Sequence, residues 1–199
     1  QNRSFGPTAR ASTARVLVRA AREQLPRRHS SRSLPAADSL FVVNGGTLGT
    51  GLAATTLANA VVANAGFDML TTAPGSASLT LNGNVALNGP VRINGTSAGE
   101  GNFGFGGAIS GGQGLSFDAT GSGFNTFTLF GATSNSYAGP TTVQGNATLL
   151  LSKTGGATAI PGDLTINGTA STLVAGSEQI ADGATVTVNS TGHATPLAG

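Results

Sequence analysis

Residues 79–96 read LTLNGN-VALNGP-VRINGT, three hexads of one pattern: apolar, variable, apolar, Asn, Gly, variable. Leu79, Leu81, Val85, Leu87, Val91 and Ile93 alternate with Thr80, Ala86 and Arg92. Side chains on a strand alternate between two faces, so each hexad presents one apolar face with period 2. Asn82-Gly83, Asn88-Gly89 and Asn94-Gly95 punctuate the hexads with residues that tolerate positive φ. Two geometries fit. Asn-Gly is a strong hairpin signal, which suits an antiparallel meander. A six-residue period leaves arms of about four residues, shorter than the usual strand of about 5–6. The second geometry lays each hexad along one side of a coil with Asn-Gly at the corners, and hexapeptide periodicity is a β-helix signature. The coil is the preferred reading.

Outward from the hexads the pattern persists. Strands are expected at 40–43, 55–62 and 68–72, and again at 125–130, 141–143, 148–151, 163–166, 172–174 and 185–188. Short runs of Thr with Val, Ile, Leu or Phe are divided there by Gly, Asn and Pro. Residues 100–123 are Gly-rich, yet Phe103, Phe105, Ile109, Leu115 and Phe117 recur through them, which predicts tight turns between short buried strands rather than a linker. Parallel strands in a globular sheet need crossover helices. No helical pattern of that length follows residue 40. The body is therefore an antiparallel sandwich or barrel, or a solenoid in which each strand pairs with its equivalent one coil later. The solenoid is preferred, with coils of about 20 residues and roughly eight of them.

Composition divides the chain of 199 residues in two. Residues 1–32 hold eight Arg and one acid, Glu23; residues 33–199 hold Arg92 and Lys153 against seven acids. The overall net charge of +2 hides a head at +7 and a body at −5, so the basic pI gives no ground for a nucleic-acid partner of the body. Within the head, residues 9–25 fit a basic amphipathic helix ended by Pro26, followed by a polar linker at 27–35. Residues 1–38 are read as a non-core basic head, disordered or partly helical, and 39–199 as the β-rich body. In residues 41–199, 38 of 159 side chains are Leu, Ile, Val or Phe, enough for a core but a lean one. Thin stacked layers need no more. Cysteine is absent, which removes thiol chemistry and Cys-based zinc sites. No apolar run is long enough for a transmembrane helix, and no signal peptide is visible. The chain starts at Gln1 and is read as a fragment or processed piece.

His29 and His193 have no carboxylate or nucleophile at a suggestive spacing for a Ser-His-Asp triad. Asp68, Glu100, Asp118, Asp163, Glu178 and Asp182 are scattered. Asp163 and Asp182 come nearest to a pair, about one coil apart, but Gly162-Asp163 and Asp182-Gly183 are ordinary turn dipeptides. There is no phosphate loop and no calcium nonapeptide. Asn146 and Asn167 begin glycosylation sequons. Asn82, Asn88 and Asn94 read as turn formers, with a stacked hydrogen-bonding ladder as the alternative. No catalytic, cofactor-binding or metal-ligating residue is assigned.

One segment carries a resemblance. GAISGGQGLSF (107–117) and NTFTLFGATSNSYAGPTTVQGNATLLLSK (125–153) supply Gly107, Ile109, Gly111 and Leu115, then Thr126, Thr128, Leu129 and Gly131. Asn135, Tyr137, Gly139, Thr141, Thr142 and Val143 follow, then Leu149 and Leu151. This order resembles the autotransporter-associated β-strand repeat over about residues 105–190. It departs at Phe130, where a small polar residue is usual, and at the C-terminus, which lacks a further Leu-x-Leu strand. The resemblance implies an all-β chain folded as a right-handed parallel β-helix, in the passenger of a type V-secreted bacterial surface protein. It implies a structural or adhesive role at the cell surface or outside the cell, without catalysis or cofactor, and glycans or proteins of a host or environmental surface as partners. It also implies an outer-membrane translocator barrel elsewhere in the full-length protein. The competing expectation is a carbohydrate-active β-helix enzyme, a polysaccharide lyase or glycosidase, which would need Asp118, Asp163, Asp182 and Lys153 to converge.

Overall fold

The computed structural model describes residues 16–19, 39–73, 77–97, 99–121 and 123–190. The described residues contain strands and no helix. The three hexads explain the architecture. LTLNGN, VALNGP and VRINGT give β7 (Ala77–Leu81), β8 (Val85–Leu87) and β9 (Val91–Gly95), three strands that do not pair with one another. Each pairs in parallel with the equivalent strand of the turns before and after, so one run of hexads makes the three sides of one turn.

The same three-sided turn repeats along the chain. The first sheet collects β2 (Phe41–Val43), β5 (Val61–Ala63), β8, β11 (Ile109–Gly111) and β14 (Ser136–Tyr137). The second collects β3 (Thr47–Thr50), β6 (Phe67–Thr71), β9, β12 (Leu115–Ala119), β15 (Thr141–Gly145), β17 (Leu164–Gly168) and β19 (Val186–Ser190). The third collects β4 (Ala54–Leu57), β7, β10 (Gly101–Phe105), β13 (Asn125–Gly131), β16 (Ala147–Lys153) and β18 (Ser171–Val174). The first sheet continues past β14 as a single parallel bridge, Ile160 to Ile180. The result is a parallel β-solenoid of about six turns. The expectation of roughly eight is corrected because the turns are longer than 20 residues: hydrogen-bonded residues one turn apart are separated by 20 to 26 positions.

The core is a set of columns, each one residue wide and running along the stack. Leu57, Leu81, Phe105, Leu129 and Leu151 occupy one column, and every one is at most 1 % exposed. Ile93, Phe117, Val143 and Ile166 form another. Where columns from neighbouring sheets meet, Phe117 and Phe127 pack with ring centroids 5.1 Å apart, and within one column Phe103 and Phe127 pack at 5.4 Å. Offset and tilted ring pairs at such distances add to the gain from burial. Strands in adjacent turns lie about 4.8 Å apart, so a lean set of apolar residues suffices to fill the interior.

At the corners the glycines serve a purpose other than the one expected. Gly83 does not have positive φ. A Cβ on Gly83 would collide with the backbone oxygen of Asn59 one turn earlier, and one on Gly107 with that of Gly83. The corner needs glycine for close approach between turns. Positive φ is used elsewhere, as at Gly145 (φ 66°) and Gly168 (φ 67°), at matching positions in successive turns.

The head departs from expectation where it is described. Val16–Arg19 is a strand, β1, not part of a helix, and it pairs antiparallel with β3. A β-branched Val-Leu-Val run beside an open edge finds ladder hydrogen bonds there that a short isolated helix could not match. The rest of the helix expected over 9–25, and the linker at 27–35, lie outside the described residues.

Candidate functional site

Two polar constructions stand out against the apolar stack. The first is a ladder along the second sheet. Asp68, Asn94, Asp118 and Gln144 occupy one column in four successive turns. Asn94 Nδ2 donates to Asp68 Oδ1 at 2.9 Å, and Asn94 Oδ1 accepts from the amide of Thr120 at 3.2 Å and from its hydroxyl at 3.0 Å. Asp118 is buried, and its Oδ2 accepts from Gln144 Nε2 at 2.7 Å and from Arg92 Nε at 2.9 Å, with Arg92 Nη2 at 2.8 Å. The guanidinium approaches one carboxylate oxygen with two of its nitrogens. A second ladder of amides runs along the corner between the first and second sheets. Asn88 Nδ2 donates to Asn64 Oδ1 at 3.0 Å, and Asn64 Nδ2 donates to Asn44 Oδ1 at 2.7 Å. The ladder thus exists, but it links one Asn per turn. Asn82 and Asn88 follow β7 and β8 at two corners, Asn94 lies within β9, and the three do not stack on each other.

The second construction is a caged lysine. Lys153 ends β16 on the inward face and is 4 % exposed. Its Nζ donates to three backbone oxygens: Thr133 at 2.7 Å, Phe130 at 3.2 Å and Gly107 at 3.4 Å. Burial pushes its pKa below the ordinary lysine value. On its other side the Gln179 carboxamide clamps the Lys153 backbone, Oε1 accepting from the amide at 2.8 Å and Nε2 donating to the carbonyl at 2.9 Å. Asn135, at the equivalent corner two turns earlier, bridges the turns on either side of it: its Oδ1 accepts from the amide of Ile109 and its Nδ2 donates to the carbonyl of Ala159. These side chains replace ladder hydrogen bonds where the corner is too long for strands to pair. Nothing in the sequence pattern distinguishes this Lys, Asn and Gln from surface polar residues. Their role depends on corner length, which local patterning does not encode.

Tyr137, the chain's sole tyrosine, is buried in β14, and its hydroxyl shares a 2.6 Å hydrogen bond with that of Thr141. Burial pushes the phenol up to about 12, against a smaller opposing effect of that hydrogen bond.

The residues required by the enzyme reading are not brought together. Asp118 is engaged by Arg92 and Gln144 on the second sheet. Lys153 faces inward at the end of a third-sheet strand, among carbonyls. Asp163 Oδ1 accepts the amide of Thr185 one turn later, at 2.8 Å, and Asp182 lies exposed in the turn before β19. Asp163 is thus a peg between turns, in keeping with the turn reading. Among the described residues no group of three or more His, Asp or Glu is placed to hold a metal ion. His29 and His193 lie outside the described residues. Asn146 and Asn167, the sequon residues, accept hydrogen bonds from Thr169 and Asn189 respectively. A cavity of about 30 Å³ between β2 and β3, lined by Phe41, Val43, Leu48 and Phe67 among others, has room for a water or two and not for an organic ligand. No helix of the described residues is long and apolar enough to cross a membrane.

Comparison with protein-family models, with curated proteins and with solved structures gave no match for this chain.

Proposed function

We propose that the chain is a structural segment of a surface-exposed or secreted bacterial protein, an extended spacer whose side walls serve for adhesion. The observation that carries this reading is the use made of the body's two cations. Arg92 is bound to Asp118 and Lys153 is enclosed by carbonyls, so both are committed to holding turns together. What remains for contact is a set of flat walls. Ser78, Asn102, Thr126, Thr148 and Ser171 form one straight polar row up the third sheet. Repeated hydroxyls and amides at strand spacing suit many weak contacts with glycans or extended polypeptides better than one tight pocket. On this reading the chain has no intrinsic catalysis, and the autotransporter-type repeat over 105–190 marks it as passenger rather than translocator.

The test is accessibility on intact cells of the source organism. Antibody raised against the folded chain should label unpermeabilised cells or the culture medium, and external protease should remove the signal. Labelling that appears only after lysis would sink the proposal.

A further inference from the structure

We propose that the third-sheet wall carries a binding site for a neutral oligosaccharide along β13, with Phe130 as its stacking platform. The inference rests on the adhesive reading above and names a ligand class for it. It starts from two glycines in the middle of the stack. Gly104 pairs with Thr80 one turn earlier and with Thr128 one turn later. Gly106 follows β10 as Asn82 follows β7, and Phe130 holds the matching place on β13. A Cβ on Gly104 would come 3.0 Å from Cε1 of Phe130, and one on Gly106 would come 2.9 Å from Cε2 and Cζ. The outer edge of the ring thus spans both glycines, so the ring reaches back across one turn and lies along the wall. The two absent side chains form the recess that seats it. Thr80 Oγ1 and Asn82 Oδ1 close on the same two positions from the turn before. Phe130 is nonetheless partly exposed, on the face of the wall and outside the core.

The surroundings select the ligand. From β4 to β16 the outward positions of the third-sheet strands hold Ala, Ser, Thr, Asn, Gly, Phe and Leu, without a charge. The second-sheet wall differs, since it bears Asp68, Arg92 and Asp118. A charged partner would find no counter-charge on the third wall. One ring is also far too small an apolar area for a protein partner, because stable interfaces bury about 1,200–2,000 Å². A pyranose suits both features. Its C–H face packs on an aromatic ring while its hydroxyls reach the donors and acceptors beside it. Thr128 and Ser152 supply hydroxyls next to Phe130, and Asn82 supplies an amide at the tip of the ring. Thr126 continues the polar line along β13 toward Phe124, which is 52 % exposed just before the strand. From Phe124 to Phe130 an extended chain spans about 20 Å, a length for several sugar units rather than one.

The test is a titration of the isotope-labelled full chain, followed through its amide resonances. The probes are neutral hexasaccharides of glucose, galactose, mannose and N-acetylglucosamine, with a sulfated hexasaccharide as the charged control. At least one neutral probe should shift the amides of Gly104, Gly106 and Thr128 together, and the sulfated probe should bind more weakly than that one. Phe130→Ser should weaken the binding by about tenfold or more. Phe130→Trp keeps a flat ring and should bind within about threefold of the parent. No shift with any neutral probe, shifts confined to another wall, tighter binding of the sulfated probe, or unchanged affinity in Phe130→Ser would overturn the proposal. So would a loss in Phe130→Trp as large as that in Phe130→Ser, which would mark Phe130 as a structural cover for the glycines. These outcomes are read on the purified chain. A chain found on the cell surface that binds no neutral probe would lose this inference alone.

Discussion

The ammonium of Lys153 and the backbone oxygen of Gly107 meet at 3.4 Å although 46 residues separate them, so a single side chain ties together corners two turns apart. The corner between the third and first sheets lengthens along the chain, from three residues after β4 to four after β13. Lys153 donates to carbonyls around this corner in two turns: Thr133 in the longer corner after β13, Phe130 near the end of β13, and Gly107 in the corner after β10.

Lys153→Met keeps the stem and removes the donors. It leaves three buried carbonyls to find other partners, and a loss of about 1–3 kcal/mol is expected in urea unfolding at neutral pH. The pH dependence has a definite sign. The folded value lies below the 10.5 of the unfolded chain, so the folded state holds fewer protons in that window. Parent stability should therefore rise as pH climbs through the lowered value toward 10.5, relative to Lys153→Met. A constant difference between the two proteins across that range would contradict the assignment.

Tyr137 offers a single-site titration, since the chain has one Tyr and no Trp. Its folded value near 12 stands above the ordinary 10.0. Its contribution is intact below pH 10 and is lost as pH rises toward 12, by about 2–3 kcal/mol in all. Phenolate absorbance should appear near pH 12 in the folded chain and near pH 10 in urea. Tyr137→Phe should abolish the alkaline loss.

Corner glycines divide by surroundings. Gly83→Ala drives a methyl into the backbone of Asn59 and should cost about 2–3 kcal/mol or more. Gly112→Ala meets open space at ordinary φ and should change stability by no more than about 0.5 kcal/mol. Thermal melts of the two variants settle the contrast.

Core columns should weaken toward the C-terminal end. Leu129→Ala, at the centre of a fully covered column, should cost about 2–5 kcal/mol. Val188→Ala, 64 % exposed, should cost less than about 0.5 kcal/mol in the monomer.

The hexads made the sides and corners of the turn legible, because alternation and Asn-Gly spacing are local properties. The strands within the Gly-rich stretch, β10 to β12, were legible for the same reason: Phe103, Phe105, Ile109, Leu115 and Phe117 have no use in a linker. Three readings failed locally. The single strand expected over 55–62 is two, β4 and β5, because the chain turns at Ala58–Ala60 without Gly or Pro. β3 went unseen because Thr-Leu-Gly-Thr has one large apolar residue, and β14 because two residues carry no period. The glycine corners were foreseen as backbone-flexible positions, but the constraint at Gly83 and Gly107 comes from the neighbouring turn. Lys153, Asn135 and Gln179 were illegible as structural residues, since the partners through which they join turns lie at least 20 positions away.

Distances between spin labels along one wall test the parallel stack most directly. Ser78, Asn102, Thr126, Thr148 and Ser171 lie in register in five successive turns, and the absence of cysteine lets paired labels be placed freely. Labels on Ser78→Cys combined with each of the others in turn should separate in even steps of about 4.8 Å per turn. Distances that fail to grow with each turn, or that alternate between near and far, would contradict the solenoid.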